Sequence, residues 1–186
     1  MSQSVDHGGV VVLMRGRNER LVIEMFSLLA ECFPRRQGPA FESAFLTLRV
    51  YMSAEQSIGV LNGMMSVMAT LKAAGRLPTL EIGRQTMSKD ELFLLAMLSA
   101  AQRFERARPI EAAIALLNTG HVFAVNVAVR SLAARLRGAG ILLAPVSEAV
   151  FSHVAGYPAI TSETESAAAR DDQHSAAKPG LRLLSA

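Results

Sequence analysis

The side chains able to do chemistry are few in this chain and stand far apart. Its histidines are His7, His121, His153 and His174, and Cys32 is the single thiol. His7 and His174 fall in polar terminal stretches. His121 follows Asn118-Thr119-Gly120 at an expected helix start, where capping is its ordinary role and acid–base chemistry the sharper one. His153 falls on a short helix, where surface or packing roles are the ordinary ones. Cys32 sits beside an apolar helix face, where a thiol behaves as a small hydrophobe. It can form no disulfide within the chain, which fits a reducing cytoplasm. No HExxH, CxxC, G-x-S-x-G or Walker-type loop occurs, and Gly138-Ala139-Gly140 follows a helix rather than a strand. The carboxylates are scattered over expected helix exteriors. No catalytic residue, metal or cofactor is therefore expected, and an enzyme or small-molecule binder stands only third among the readings.

Arginine is the other chemistry-bearing residue. It outnumbers lysine 16 to 3, within a net charge of +3. Arg103, Arg106 and Arg108 cluster near one expected helix end, and Arg130, Arg135 and Arg137 crowd another. Basic groups there complement the helix dipole. Alternatively, they form a phosphate or nucleic-acid contact set, provided the two helix ends meet. Aromatic side chains for base stacking are scarce: two Tyr, eight Phe and no Trp.

The elements that must position these groups are mainly helical. Residues 1–9 and 158–186 are polar or Ser/Ala/charge-rich and are expected to be disordered. Leu181-Arg182-Leu183-Leu184 reads as a docking peptide or an untidy terminus. Residues 10–157 form one helical domain with two or three short strands, near 10–14, 79–82 and 141–144. Asn18 is placed to cap a first helix running to about Phe33, with Arg20, Glu24, Ser27 and Glu31 as its polar stripe. A basic loop, 34–39, leads to a second helix with Phe41, Ala44, Phe45 and Leu48 inward. Ser88 and Glu91 open a helix to about Ala107, with Leu92, Leu95, Leu98, Ala101 and Phe104 inward. Pro109 starts a helix that Gly120 ends, and 122–137 bury Val122, Val125, Val129, Leu132 and Leu136. A short helix over 146–155 ends near Gly156. Ala112–Val129, the longest uncharged stretch, is broken by turn chemistry, so no membrane span is expected.

The chain is organised around the helix after Ser53. Ser53 and Gln56 form a capping box. Ile58, Leu61, Met65, Met68 and Leu71 follow at helical spacing, and Val60, Met64 and Val67 widen the stripe. Gly59 and Gly63 lie four apart on one face, which suits close approach by another helix. Met64, Met65 and Met68 are core filler or an adaptable contact surface.

Two stretches look like one another. FSLLAECF (26–33) compares with MLSAAQRF (97–104), and SVMATLKAAG (66–75) with SLAARLRGAG (131–140). Internal duplication is one explanation and chance similarity of amphipathic helices the other. Duplication predicts pseudo-twofold symmetry and strands that pair in a small sheet.

Residues of about 57–98 also resemble part of a short uncharacterised bacterial family, a domain of unknown function. The matching words are SIGVLNGMMSVMATLKAAGRLPTLEI and GRQTMSKDELFLLAML. That family carries cysteines after its strand, where this chain has Ile82-Gly83-Arg84-Gln85. The resemblance implies no activity, and any metal or redox role tied to those cysteines does not carry over.

The sequence names no pathway. It points to a non-enzymatic interaction or regulatory protein, cytoplasmic, bacterial in type and self-associating as a homo-oligomer or with a protein partner. Its interaction or packing residues are Gly59, Gly63, Met64, Met65 and Met68. The alternative is a DNA- or RNA-associated regulator using Arg103, Arg106, Arg108, Arg130, Arg135 and Arg137.

Overall fold

Ser53 and Ser88 open their helices by the reciprocal bonding that the sequence predicts. The Ser53 N–H donates to Gln56 Oε1 at 3.0 Å, and Ser53 Oγ accepts from the Gln56 N–H at 3.2 Å. Ser88 and Glu91 do the same at 2.7 and 3.2 Å. Each box satisfies N–H groups that a first helical turn leaves without partners; a cap of this kind is worth about 1 kcal/mol. A computed structural model describes residues 12–13, 16–33, 38–80, 86–117 and 121–156. The termini expected to be disordered, with His7, His174 and Leu181–Leu184, lie outside the described residues. So do 34–37, 81–85 and 118–120 and the side chain of Cys32.

The fold is mainly α. In order come β1 (Val12–Leu13), α1 (Arg17–Cys32), α2 (Pro39–Arg49), α3 (Ala54–Ala73), β2 (Thr86–Met87), α4 (Lys89–Gln102), α5 (Arg108–Leu117), α6 (Val122–Gly138) and α7 (Glu148–Ala155). α1–α3 and α4–α6 are two units of the same order. They meet where α3 packs on α6, and β1 pairs antiparallel with β2 just ahead of each unit. One continuous apolar core runs through both units and takes in Phe151 of α7.

The units correspond residue by residue. α3 ends at Ala74 and left-handed Gly75, with the Arg76 N–H reaching back to the Leu71 carbonyl at 3.1 Å. α6 ends at Ala139 and left-handed Gly140, with the Ile141 N–H reaching the Leu136 carbonyl at 2.9 Å. This is the Schellman closure, made twice. Lys72 lies over the Phe33 ring at 5.3 Å, and Arg137 lies over the Phe104 ring at 5.0 Å. Glu19 at the start of α1 accepts from the Ala144 N–H at 2.6 Å. Asp90, at the same place in α4, accepts from the Thr79 N–H at 2.9 Å. Thr79 and Ala144 are themselves equivalent, so each unit's first helix holds the segment trailing from the other. That reciprocity accords with a pseudo-twofold relation between the units, whereas the small sheet that duplication also predicts is not formed by the described residues of 79–82 and 141–144.

Several expectations need correction. Asn18 does not cap α1: Gly16 occupies that position without a side-chain cap bond, and Asn18 Nδ2 donates to the Leu142 carbonyl at 2.8 Å. α4 stops at Gln102 rather than Ala107, because Phe104 turns left-handed at φ 61°. Phe104 and Ile58, read as core, are exposed. Residues 141–144 form no strand among the described residues. Gln102 holds them instead, donating to the Ile141 carbonyl at 2.8 Å and accepting from the Leu143 N–H at 2.9 Å. β1 pairs with Thr86–Met87; of the expected strand 79–82, Thr79 and Leu80 form no strand and 81–82 lie outside the described residues. The carboxylates are not all exterior: Glu19, Asp90 and Glu91 are buried and bonded to backbone N–H groups.

Candidate functional site

The six arginines separate into different environments. Arg108 opens α5, where a cation opposes the helix dipole. Glu111 and Glu148 both pair with it, and its guanidinium stacks 4.4 Å from the Phe151 ring centre, so it ties α5 to α7. Arg135 lies across α3, with Cδ and Nη1 over Gly63 and Gly59. Arg106 is exposed in the loop between α4 and α5. Arg103 closes α4, where Nε meets Glu105 Oε1 at 2.9 Å and Nη1 reaches the Leu143 carbonyl at 3.5 Å.

Arg130 and Arg137 are brought together around the end of α4. Arg137 Nη1 donates to the Gln102 carbonyl at 3.4 Å, and Arg130 Nη2 to the Glu105 carbonyl at 2.9 Å. Between these anchors stands Phe104, 71% exposed. The turn is a Schellman closure, with the Glu105 N–H on the Ala100 carbonyl at 3.1 Å. Its left-handed position normally holds Gly; a side chain there costs about 1–2 kcal/mol. The result is an open groove of about 710 Å³ between the end of α4 and α6. Ala101, Ala133 and Ala134 line it, with Phe104, Arg130 and Arg137 around them. The two guanidiniums bond to carbonyls and, for Arg130, to Asn126 Oδ1 at 3.2 Å. Within the described residues these bonds leave their charge without a carboxylate.

The Gly/Met helix is placed differently. A Cβ on Gly63 would stand 3.0 Å from Leu132 Cδ1 and 3.5 Å from Leu132 Cα, so Gly63 permits the α3–α6 crossing. Gly59 meets only the Arg135 tip, at 3.2 Å. Met64, Met65 and Met68 are buried core residues. Gly63 therefore serves the packing of the two units, and the three methionines are core residues that offer no surface.

A second surface lies on α5 and α6, which pack on each other. Ile110 and Ile114 are exposed on α5, and Phe123 and Val127 on α6. Both pairs have the i, i+4 spacing that puts them on one helix face. The first unit carries Glu42, Leu46, Ile58 and Asn62 at the equivalent places, also exposed, so two of the four are polar there, while Val50 and Tyr51 add exposed apolar surface at the end of α2. Sequence reading missed this surface because Val122–Val129 looks like core throughout. The only available signal was that the inward stripe leaves Phe123 and Val127 on the opposite side.

His121 sits at the N-cap position of α6 without a side-chain cap bond and is exposed, as is His153. A smaller groove of about 380 Å³ lies between α1 and α2, where Arg17 stacks 4.9 Å over the Tyr51 ring. Neither groove is lined by a histidine. Among the described residues no helix is long and apolar enough to cross a membrane. Comparison with known proteins finds no matching family model, curated protein or solved structure.

Proposed function

We propose that this is a non-enzymatic interaction protein that self-associates, with the outer face of α5–α6 meeting the same face of a second copy. The observation that carries this reading is the exposure of Ile110, Ile114, Phe123 and Val127 on two adjacent helices. Ala112–Val129 contains no charged residue. That stretch holds Ile114, Phe123 and Val127 and presents no charge to repel a second copy, although the chain as a whole is positive. It also offers no charge that would select a different partner. Closed twofold pairing is the common outcome for a self-complementary patch. Full burial of a large apolar side chain contributes about 1.5–3 kcal/mol, and these four, already part-buried, each retain roughly half of that to set against the cost of association. The single cysteine supports a reducing, cytoplasmic setting.

Light scattering across a concentration series tests this. Wild-type protein is expected at the mass of two chains, and Phe123→Ser/Val127→Ser at the mass of one with its helical circular dichroism retained. A wild type at single-chain mass throughout, or a double variant that still pairs, overturns the reading.

A further inference from the structure

Phe104 is an exposed aromatic held in a backbone conformation that suits glycine, beside two arginines whose charge no described carboxylate meets. We propose that this groove binds single-stranded nucleic acid. One base stacks on the open face of Phe104, and backbone phosphates lie against Arg130 and Arg137. Arg137 already covers one face of the ring at 5.0 Å, so a base on the other face completes a cation–aromatic–base stack. Arg103 and Glu105 neutralise each other at 2.9 Å, which leaves Arg130 and Arg137 as the charge the groove presents. Arg106, two residues beyond Phe104, is exposed and adds a further positive charge to the same turn.

The alanines lining the groove bring no side-chain donor or acceptor to a base edge. Binding of this kind is driven by stacking and charge and tolerates any sequence. Duplex DNA keeps its bases stacked on one another and cannot use Phe104, so the surface selects single strands. An acidic polypeptide would satisfy the arginines but has no planar face for the ring.

The test is fluorescence anisotropy with a labelled oligothymidylate of about 16 nucleotides. Full-length protein is titrated at salt concentrations from about 50 to about 200 mM. Wild type is expected to bind, and to bind the single strand more tightly than a duplex of equal length or poly-glutamate. Phe104→Gly suits the left-handed turn and should stay folded; its affinity should fall at least about fivefold. Arg137→Gln should lower the salt slope by about 0.7. No binding at the lowest salt overturns the proposal. So does equal affinity for duplex or poly-glutamate, or a folded Phe104→Gly that binds as wild type.

Discussion

Phe33 and Phe104 close equivalent helices, and each carries a cation from the third helix of its own unit. Beyond that they diverge. Phe33 leaves α1 in extended backbone, φ −75° and ψ 132°, and is half-buried. Phe104 leaves α4 left-handed and stands out into solvent. The same divergence runs along the first helices. Arg20, Glu24 and Glu31 of α1 are exposed, whereas Glu91, Leu95 and Gln102, their equivalents in α4, are buried. α4 is covered by α7, and residues 141–143 are bonded to Gln102. The first unit thus has a polar stripe on its first helix. The other has an enclosed first helix, with its open apolar and basic surfaces displaced to α5, α6 and the α4 turn.

The sharpest way to break the pairing of the two units is at their crossing. Gly63→Leu should destabilise by about 3 kcal/mol or more, because its side chain meets Leu132 backbone as well as side chain. Gly59→Leu should cost under about 1 kcal/mol, since only a guanidinium must move. Urea denaturation of both variants separates them; equal losses would mean that Gly63 is not the close contact.

Gln102→Ala comes next. It strips partners from the Ile141 carbonyl and the Leu143 N–H, at about 1–3 kcal/mol each if they stay buried. Glu31→Ala, the equivalent change in α1, should stay within about 0.5 kcal/mol. Differences in denaturation midpoint check the contrast.

Glu19→Ala and Asp90→Ala test the reciprocal exchange between the units. Each leaves one backbone N–H without its carboxylate and should cost about 1–3 kcal/mol. The Asp90 variant should lose somewhat more, because Arg76 also loses its 2.8 Å partner. A silent Glu19→Ala would remove the symmetry argument at that end.

The smallest effect is expected at Phe104. Phe104→Gly relieves about 1–2 kcal/mol of strain but loses the Arg137 contact on the ring and adds the backbone entropy that glycine gives up on folding, so the net change in stability should stay under about 0.5 kcal/mol. Phe33→Gly, in unstrained backbone and half-buried, should cost about 1–2 kcal/mol. Thermal unfolding of the two proteins decides whether the ring at Phe104 serves the fold.

Much of this architecture was legible. Both capping boxes, the glycine closures after α3 and α6 and the Gly63 approach follow from residue types at fixed spacing. The similarity of the two stretches held more than was drawn from it. Pro34 marks the end of the helix before Phe33, whereas no Gly or Pro marks an end at Phe104 in the aligned helix. The repeat placed the two phenylalanines together and so pointed to the turn. What sequence did not carry was the long-range bonding. Nothing local tells that Glu19 reaches Ala144 or that Gln102 fixes Ile141 and Leu143, since those partners are set by how the units meet. The open surface of α5–α6 was hidden for a related reason: an all-apolar helix start looks like core until its neighbours are known.

The measurement that tests the account most directly is light scattering on matched surface variants of the two units. Leu46→Ser/Ile58→Ser alters the first unit, and Ile114→Ser/Phe123→Ser the equivalent pair in the second. The first variant is expected to keep the two-chain mass of the wild type and the second to fall to one chain. Loss of pairing in the first variant with pairing retained in the second would contradict this.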